Sequence, residues 1–165
     1  MRTRSDAGFL EIILITALLI LFGATTFTLV SSGGDAYRRV MDKRETGITL
    51  RVAMSYLTTQ LRQNDLSGAV LLTETDTGDC LTLRREIGGE IYETSIYMND
   101  GWLYEALIPE GLPLEPEYGS PITPLTGFSC RYLDDGRALL LTVTASRGDS
   151  TQSRESVISL HSNAG

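Results

Sequence analysis

The chain is poor in the residues that do chemistry. Among 165 residues it has one histidine, two cysteines and one tryptophan, and Lys43 is its single lysine. With one histidine, His161 in "SLHSNAG", and no clustered cysteine, a zinc site lacks its ligands, and His161 reads as an exposed terminal residue. No nucleophile-elbow or Ser-x-x-Lys pattern occurs, so nucleophilic catalysis has no motif to rest on. Aromatics make up only 7% of the residues, and the five prolines all fall within "PEGLPLEPEYGSPITPLTG", residues 109–127. Positive charge is outnumbered in the second part of the chain, six Lys/Arg against fifteen Asp/Glu in residues 66–165. Residues 1–65 carry net +2 and residues 66–165 net −9, which together give the formal −7. An acidic C-terminal part argues against nucleic acid, which needs a basic face.

What the chain does have is one long uncharged run. From Ile12 to Val30 there is no charged residue, and the next one is Asp35. About 20 apolar residues in a helix cross the hydrocarbon core of a bilayer. A cleavable secretory signal would have a shorter apolar region of roughly 7–15 residues followed by an A-x-A-like site. This run is longer and no such site follows, so it reads as a membrane anchor. One carboxylate, Glu11, interrupts the start of "GFLEIILITALLILF".

Residues 1–8, "MRTRSDAG", form a short basic leader, and residues 9–34 a transmembrane helix ending near Gly33 and Gly34, where two adjacent glycines predict a kink. Residues 35–65 read as an amphipathic helix. Tyr37, Val40, Met41, Ile48 and Val52 recur at helical spacing, and Leu50, Ala53, Met54, Leu57 and Leu61 continue an apolar stripe. Gly47 weakens this helix, and Asn64, Asp65 and Gly68 end it.

Residues 66–165 read as an antiparallel domain. Turn signals "IGGE" (87–90), "NDGW" (99–102) and "DDGR" (134–137) separate strand-like runs at 80–86, 91–99, 102–108, 127–133, 137–145 and 156–160. The fold class is therefore α+β: a long N-terminal helix, transmembrane then amphipathic, packed on a meander of about six strands. Expected inward residues are Leu81, Leu83, Tyr92, Ile96, Leu139, Leu141, Val143, Ile158 and Leu160, with 109–127 as a long acidic loop.

Three smaller features have ordinary explanations. Glu74, Asp76 and Asp79 gather in "TETDTGD" without EF-hand spacing and read as a solvated turn. Trp102 opens a strand and reads as covering the sheet, with a partner-binding anchor as the alternative. Cys80 and Cys130 are an even pair, which in an exported domain suggests a disulfide. Strand parity opposes it: Cys130 shares a face with Phe128 and Tyr132, whereas Cys80 shares one with Thr82 and Arg84, opposite Leu81 and Leu83. The reading taken is unpaired thiols.

A basic leader ending in Gly8, then Phe9, an early Glu11, a long apolar helix, an amphipathic continuation and a small antiparallel sheet resemble a type IV pilin-like protein, such as a minor pilin or pseudopilin. The stretches "YLTTQLRQND" and "LRREIGGEIYETSIYMNDGWLYEAL" also resemble an uncharacterised bacterial family of membrane-anchored, pilin-like proteins. The resemblance implies cleavage by a prepilin peptidase between Gly8 and Phe9 and N-methylation of Phe9. It implies assembly through Glu11, and as partners other pilin-like subunits, an assembly ATPase and a platform protein. The group's glutamate lies at the fifth mature position; here Glu11 is third and Ile13 fifth. The resemblance places the sheet domain outside the cytoplasm. The flanking charges, Arg2 and Arg4 before the span against Arg38, Arg39, Lys43 and Arg44 after it, favour the opposite orientation when counted alone. The expected function is a minor structural subunit of a type IV pilus, competence or type II secretion-like filament, held in membrane lipid before assembly. No cofactor, no enzymatic activity and no nucleic-acid partner are expected. An unprocessed, membrane-anchored extracytoplasmic binding module is the alternative.

Overall fold

A computed structural model describes residues 3–64, 68–75, 78–115 and 118–160, with side chains from Gly8 onward. His161, Asp65 and Asp76 lie outside the described residues. The chain divides into two compact units, Met1–Met41 and Asp42–Gly165. The helix contributes its own second part, from Asp42 on, to the folded unit.

One helix, α1, runs from Thr3 to Gln63. It includes Gly33 and Gly34 without a break, against the expected interruption there. Two glycines cost about 2 kcal/mol of helix propensity, but propensity is a weak prior, and the cost is small against a helix of 61 residues. The helix ends where expected. The Asn64 side chain donates to the Gln60 carbonyl at 2.8 Å, and its backbone N–H bonds the Gln60 and Leu61 carbonyls, which satisfies the last turn.

Among the described residues eight strands follow rather than six: β1 (Val70–Thr75), β2 (Gly78–Ile87), β3 (Glu90–Asn99), β4 (Trp102–Pro109), β5 (Ser120–Pro124), β6 (Gly127–Leu133), β7 (Ala138–Arg147) and β8 (Ser150–Ser159). They form two antiparallel sheets, β1-β2-β3-β4-β5 and β6-β7-β8, so the single expected meander is split. β1 and β5 are short edge strands with little alternation, and β5 lies inside the expected loop 109–127. Pro121 and Pro124 are tolerated there because an edge strand has a side that needs no ladder bond. The three expected turns are present. Gly88 and Gly89, Asp100 and Gly101, and Asp134, Asp135 and Gly136 all take positive φ.

Both sheets and one face of α1 share a single core. Leu50, Ala53, Met54, Leu57 and Leu61 pack with Val70, Leu81, Leu83, Ile96 and Leu103 of the larger sheet and Phe128, Leu139, Leu141, Val143 and Ile158 of the smaller. Of the expected inward residues only Tyr92 is not buried; its hydroxyl reaches Glu90 at 3.3 Å near the hairpin tip. The first apolar stripe is corrected more sharply. Ile48 is 52% and Val52 48% exposed, and Tyr37, Val40 and Met41 are exposed as well. At 100° per residue, Ile48 and Val52 lie on the side of α1 opposite Leu50 and Leu57, so the two stripes belong to different faces.

Polar side chains close the seams of this unit. Where the sheets meet, the Tyr132 hydroxyl donates to the Val70 carbonyl at 2.7 Å and the Cys130 N–H to the Asp79 carboxylate at 2.9 Å. Between helix and sheet, the Tyr56 hydroxyl donates to Glu105 and accepts from Gln60. Burial, then the Glu105 carboxylate, pushes the Tyr56 hydroxyl up from its ordinary range. At the β7–β8 turn, Arg147 bridges Asp42 and Glu45 of α1. Gly148 follows with φ +54, and a Cβ there would stand 2.8 Å from an Asp42 carboxylate oxygen, so this turn requires glycine.

The two faces of α1 predict opposite mutational costs. In a fragment beginning at Asp42, Leu57→Ala should lose about 2–5 kcal/mol of stability to urea, because it empties a fully enclosed site. Val52→Ala should change stability by less than about 0.5 kcal/mol. Equal losses for the two would show the face assignment to be wrong.

Candidate functional site in the N-terminal helix

Residues from Gly8 onward include one helical stretch long and apolar enough to cross a membrane, and its most apolar window has no buried residue. Phe9, Leu10, Ile12, Leu14, Leu18, Leu19, Leu21, Phe22, Phe27, Leu29 and Val30 are exposed around the whole circumference. A helix apolar on all sides, with no protein cover, is matched to lipid.

The polar residues within this stretch support the same environment. Thr16 donates its hydroxyl to the Ile12 carbonyl at 2.8 Å, Thr25 and Thr26 donate to Phe22, and Thr28 donates to Ala24 at 2.9 Å. Each threonine returns its donor to the helix backbone and presents its methyl group outward. Unmet donors are costly in hydrocarbon, so these bonds make the span compatible with it. Sequence reasoning passed over these threonines, although their placement three or four residues after an available carbonyl was readable.

Gly8, Phe9 and Glu11 all lie on α1 and are all exposed. A Cβ at Gly8 would meet nothing within 4 Å, so packing does not demand glycine there. Glu11 follows Phe9 by two residues, about 200° around the helix. No described residue forms an ion pair with it.

The two thiols are free and buried. Cys80 lies on the outer face of the larger sheet, packed with Tyr97 and Ala106, while Cys130 lies in the main core. Burial, then the Asp79 carboxylate and Cys80, push the Cys130 thiol up to about 12. Glu74 and Asp79 face each other across β1 and β2. Among the described residues no group of three or more His, Cys, Asp or Glu is placed to hold a metal ion. Asp79 instead serves the seam with Cys130. Trp102 opens β4 opposite Asn99 and Pro124 and stays 41% exposed.

Residues 48–147 match the family described as domain of unknown function (DUF4860). The match spans more than half of the chain, and the chain belongs to this family. No curated protein and no solved structure matches it.

The buried thiol gives a pH dependence with a definite sign. Cys130 ionises near its ordinary value of 9.0 when unfolded and only near 12 when folded, so the unfolded state loses its proton first. Its contribution to stability is complete below about pH 9 and declines as pH rises from there toward 12, at up to about 1.4 kcal/mol per unit. Urea midpoints at successive pH values should fall across this window, and less steeply in Cys130→Ala. The native chain at pH 8 should react with a maleimide only upon unfolding.

Proposed function

We propose that the chain is a structural subunit of a type IV pilin-like filament, minor in abundance, and acts without enzymatic activity. The carrying observation is the division of labour along α1. Its second part is built into a folded unit, while its first part offers an uncovered apolar surface around the whole helix. Such a surface suits lipid before assembly and a bundle of like helices after it. In this reading the sheet domain faces away from the cytoplasm. A prepilin peptidase cuts between Gly8 and Phe9, and an assembly ATPase and platform protein drive the subunit from the membrane into the filament. Glu11 would neutralise the new amine on Phe9 of a neighbouring subunit. In a low-dielectric bundle, losing one partner of such a pair strands the other.

A second reading keeps the anchor and omits processing: an extracytoplasmic binding module fixed to the membrane. Glu11 at the third rather than fifth mature position favours it, since the two placements differ by about 200° around the helix.

The mature N-terminus separates the two readings. Terminal sequencing and intact mass of chain purified from its own membrane should find N-methylated Phe9. An unprocessed terminus would support the fixed module. If processing occurs, Glu11→Gln should still insert in the membrane and fold its outer domain, yet be missing from sheared filaments. Assembly of Glu11→Gln at wild-type levels would remove the carboxylate from the mechanism.

A further inference from the structure

Arg51, Arg62 and Arg154 line one cleft of about 290 Å³ together with Met54, Ser55, Thr58 and Thr59. In a chain of net charge −7, this cleft contains three guanidinium groups and no carboxylate. All three arginines are exposed, and none forms an ion pair among the described residues. The sequence brings them together through two periodicities. Arg51, Ser55, Thr58 and Arg62 are spaced by four, three and four on α1 and fall on one face. On β8, Arg154 pairs with Val143, whose side chain is in the core, so Arg154 lies on the helix-facing side of the strand. Thr58 and Arg62 also line a second cavity of about 460 Å³, bounded by Leu61 and by Ser156 to Leu160. The two cavities form a trough along β8.

Among the described residues no other element hydrogen-bonds to the backbone of the outer edge of β8. Each of the other three sheet edges has at least one blocked or paired position. β5 carries Pro121 and Pro124, the β1 carbonyl of Val70 is taken by Tyr132, and the β6 N–H of Cys130 is taken by Asp79. β8 is ten residues long, ends its sheet and contains no proline. An edge of that kind presents a row of unpaired backbone donors and acceptors, the template for adding a strand.

We infer that the β8 edge, with Arg51, Arg62 and Arg154 beside it, is a docking site for an extended acidic segment of a protein partner. The segment adds to the smaller sheet as a fourth strand through backbone hydrogen bonds. Its alternate side chains point into the trough, where carboxylates meet the arginines and the Ser55, Thr58 and Thr59 hydroxyls. Arginine forks suit carboxylates in paired hydrogen bonds. A nucleic acid fits less well, because residues 66–165, which supply β8, carry net −9 as a whole. The inference does not rest on the filament reading; a filament subunit and a fixed module could both use this edge.

The test uses the full chain in zwitterionic detergent micelles and a fluorescent peptide alternating glutamate and valine. The peptide should bind and weaken as salt is raised. Affinity should fall about tenfold in each of Arg51→Gln, Arg62→Gln and Arg154→Gln, since each removes a charge-assisted bond worth that much. Arg131→Gln, on the far face of the smaller sheet, should have no effect and reports on folding. A peptide N-methylated at alternate amides should fail to bind, because it cannot form the ladder. The proposal is overturned if the peptide does not bind, or if the three variants bind it as well as the unaltered chain. It is also overturned if the N-methylated peptide binds equally, or if inorganic phosphate displaces the peptide at matched concentration; either would leave an anion pocket without strand addition.

Discussion

The folded unit depends on one constraint: α1 has to bury Leu50, Ala53, Met54, Leu57 and Leu61, and neither sheet alone encloses them. The larger sheet supplies Leu81, Leu83, Ile96 and Leu103, and the smaller supplies Leu139, Leu141, Val143 and Ile158. Each fully buried leucine or isoleucine contributes about 1.5–3 kcal/mol by removal from water, so the helix stripe organises both sheets around itself. The sheets do not pair edge to edge where they meet. Tyr132 and Asp79 satisfy single backbone groups across that seam, so the core closes without a continuous ladder.

Much of this was legible, for identifiable reasons. Leu141, Val143 and Ala145 alternate with Thr142, Thr144 and Ser146, and a period of two reads as a half-buried strand even with Leu140 on the outer face. The glycine turns at 88–89, 101 and 136 announced themselves because L-residues avoid positive φ. β1 and β5 stayed hidden because they are short, and the prolines of β5 argue locally for loop. The β7–β8 turn was passed over because "SRGDS" carries only one glycine. Its stability comes partly from Arg147 reaching Asp42 and Glu45, a pairing of residues about a hundred positions apart that no local pattern reveals. The strand parity that separated Cys80 from Cys130 was readable because it needs only the pleat. The convergence of Arg51, Arg62 and Arg154 was not, since it joins a helical period to a strand register.

The helix stripe was read correctly in kind and incorrectly in part. Tyr37, Val40, Met41, Ile48 and Val52 follow helical spacing as faithfully as the buried set does. Spacing reports that residues share a face; it does not report whether anything covers that face. Coverage is decided by the sheets, and these reach only the face carrying Leu50 and Leu57. In the folded unit Ile48 and Val52 therefore lie on an apolar strip with arginines at 44 and 51 nearby, a surface that costs solubility and is retained without any role in the core.

Glu11 stands apart from every other polar group in the apolar stretch. The four threonines meet their own needs with backbone carbonyls, so the span asks nothing of its surroundings except at this carboxylate. A helical side chain leans toward the N-terminus, which carries Glu11 back toward Gly8 and the end of the span rather than deeper into it. The positive end of the helix dipole acts within the first turn, which begins at Thr3, and does not reach Glu11. The lean lowers the cost of the charge in a lone subunit and supplies no partner. A charge that is tolerated in lipid but unpaired becomes costly once helices pack and the remaining water leaves. In the filament reading, packing of this helix against others calls for a positive group near Glu11 or for a proton on it. The chain has basic residues at 2 and 4, and cleavage after Gly8 would remove them while creating an amine on Phe9. In the filament reading, processing would exchange two cations ahead of the cut for one at Phe9, two residues from the carboxylate, a place from which it would set the stagger between neighbouring subunits.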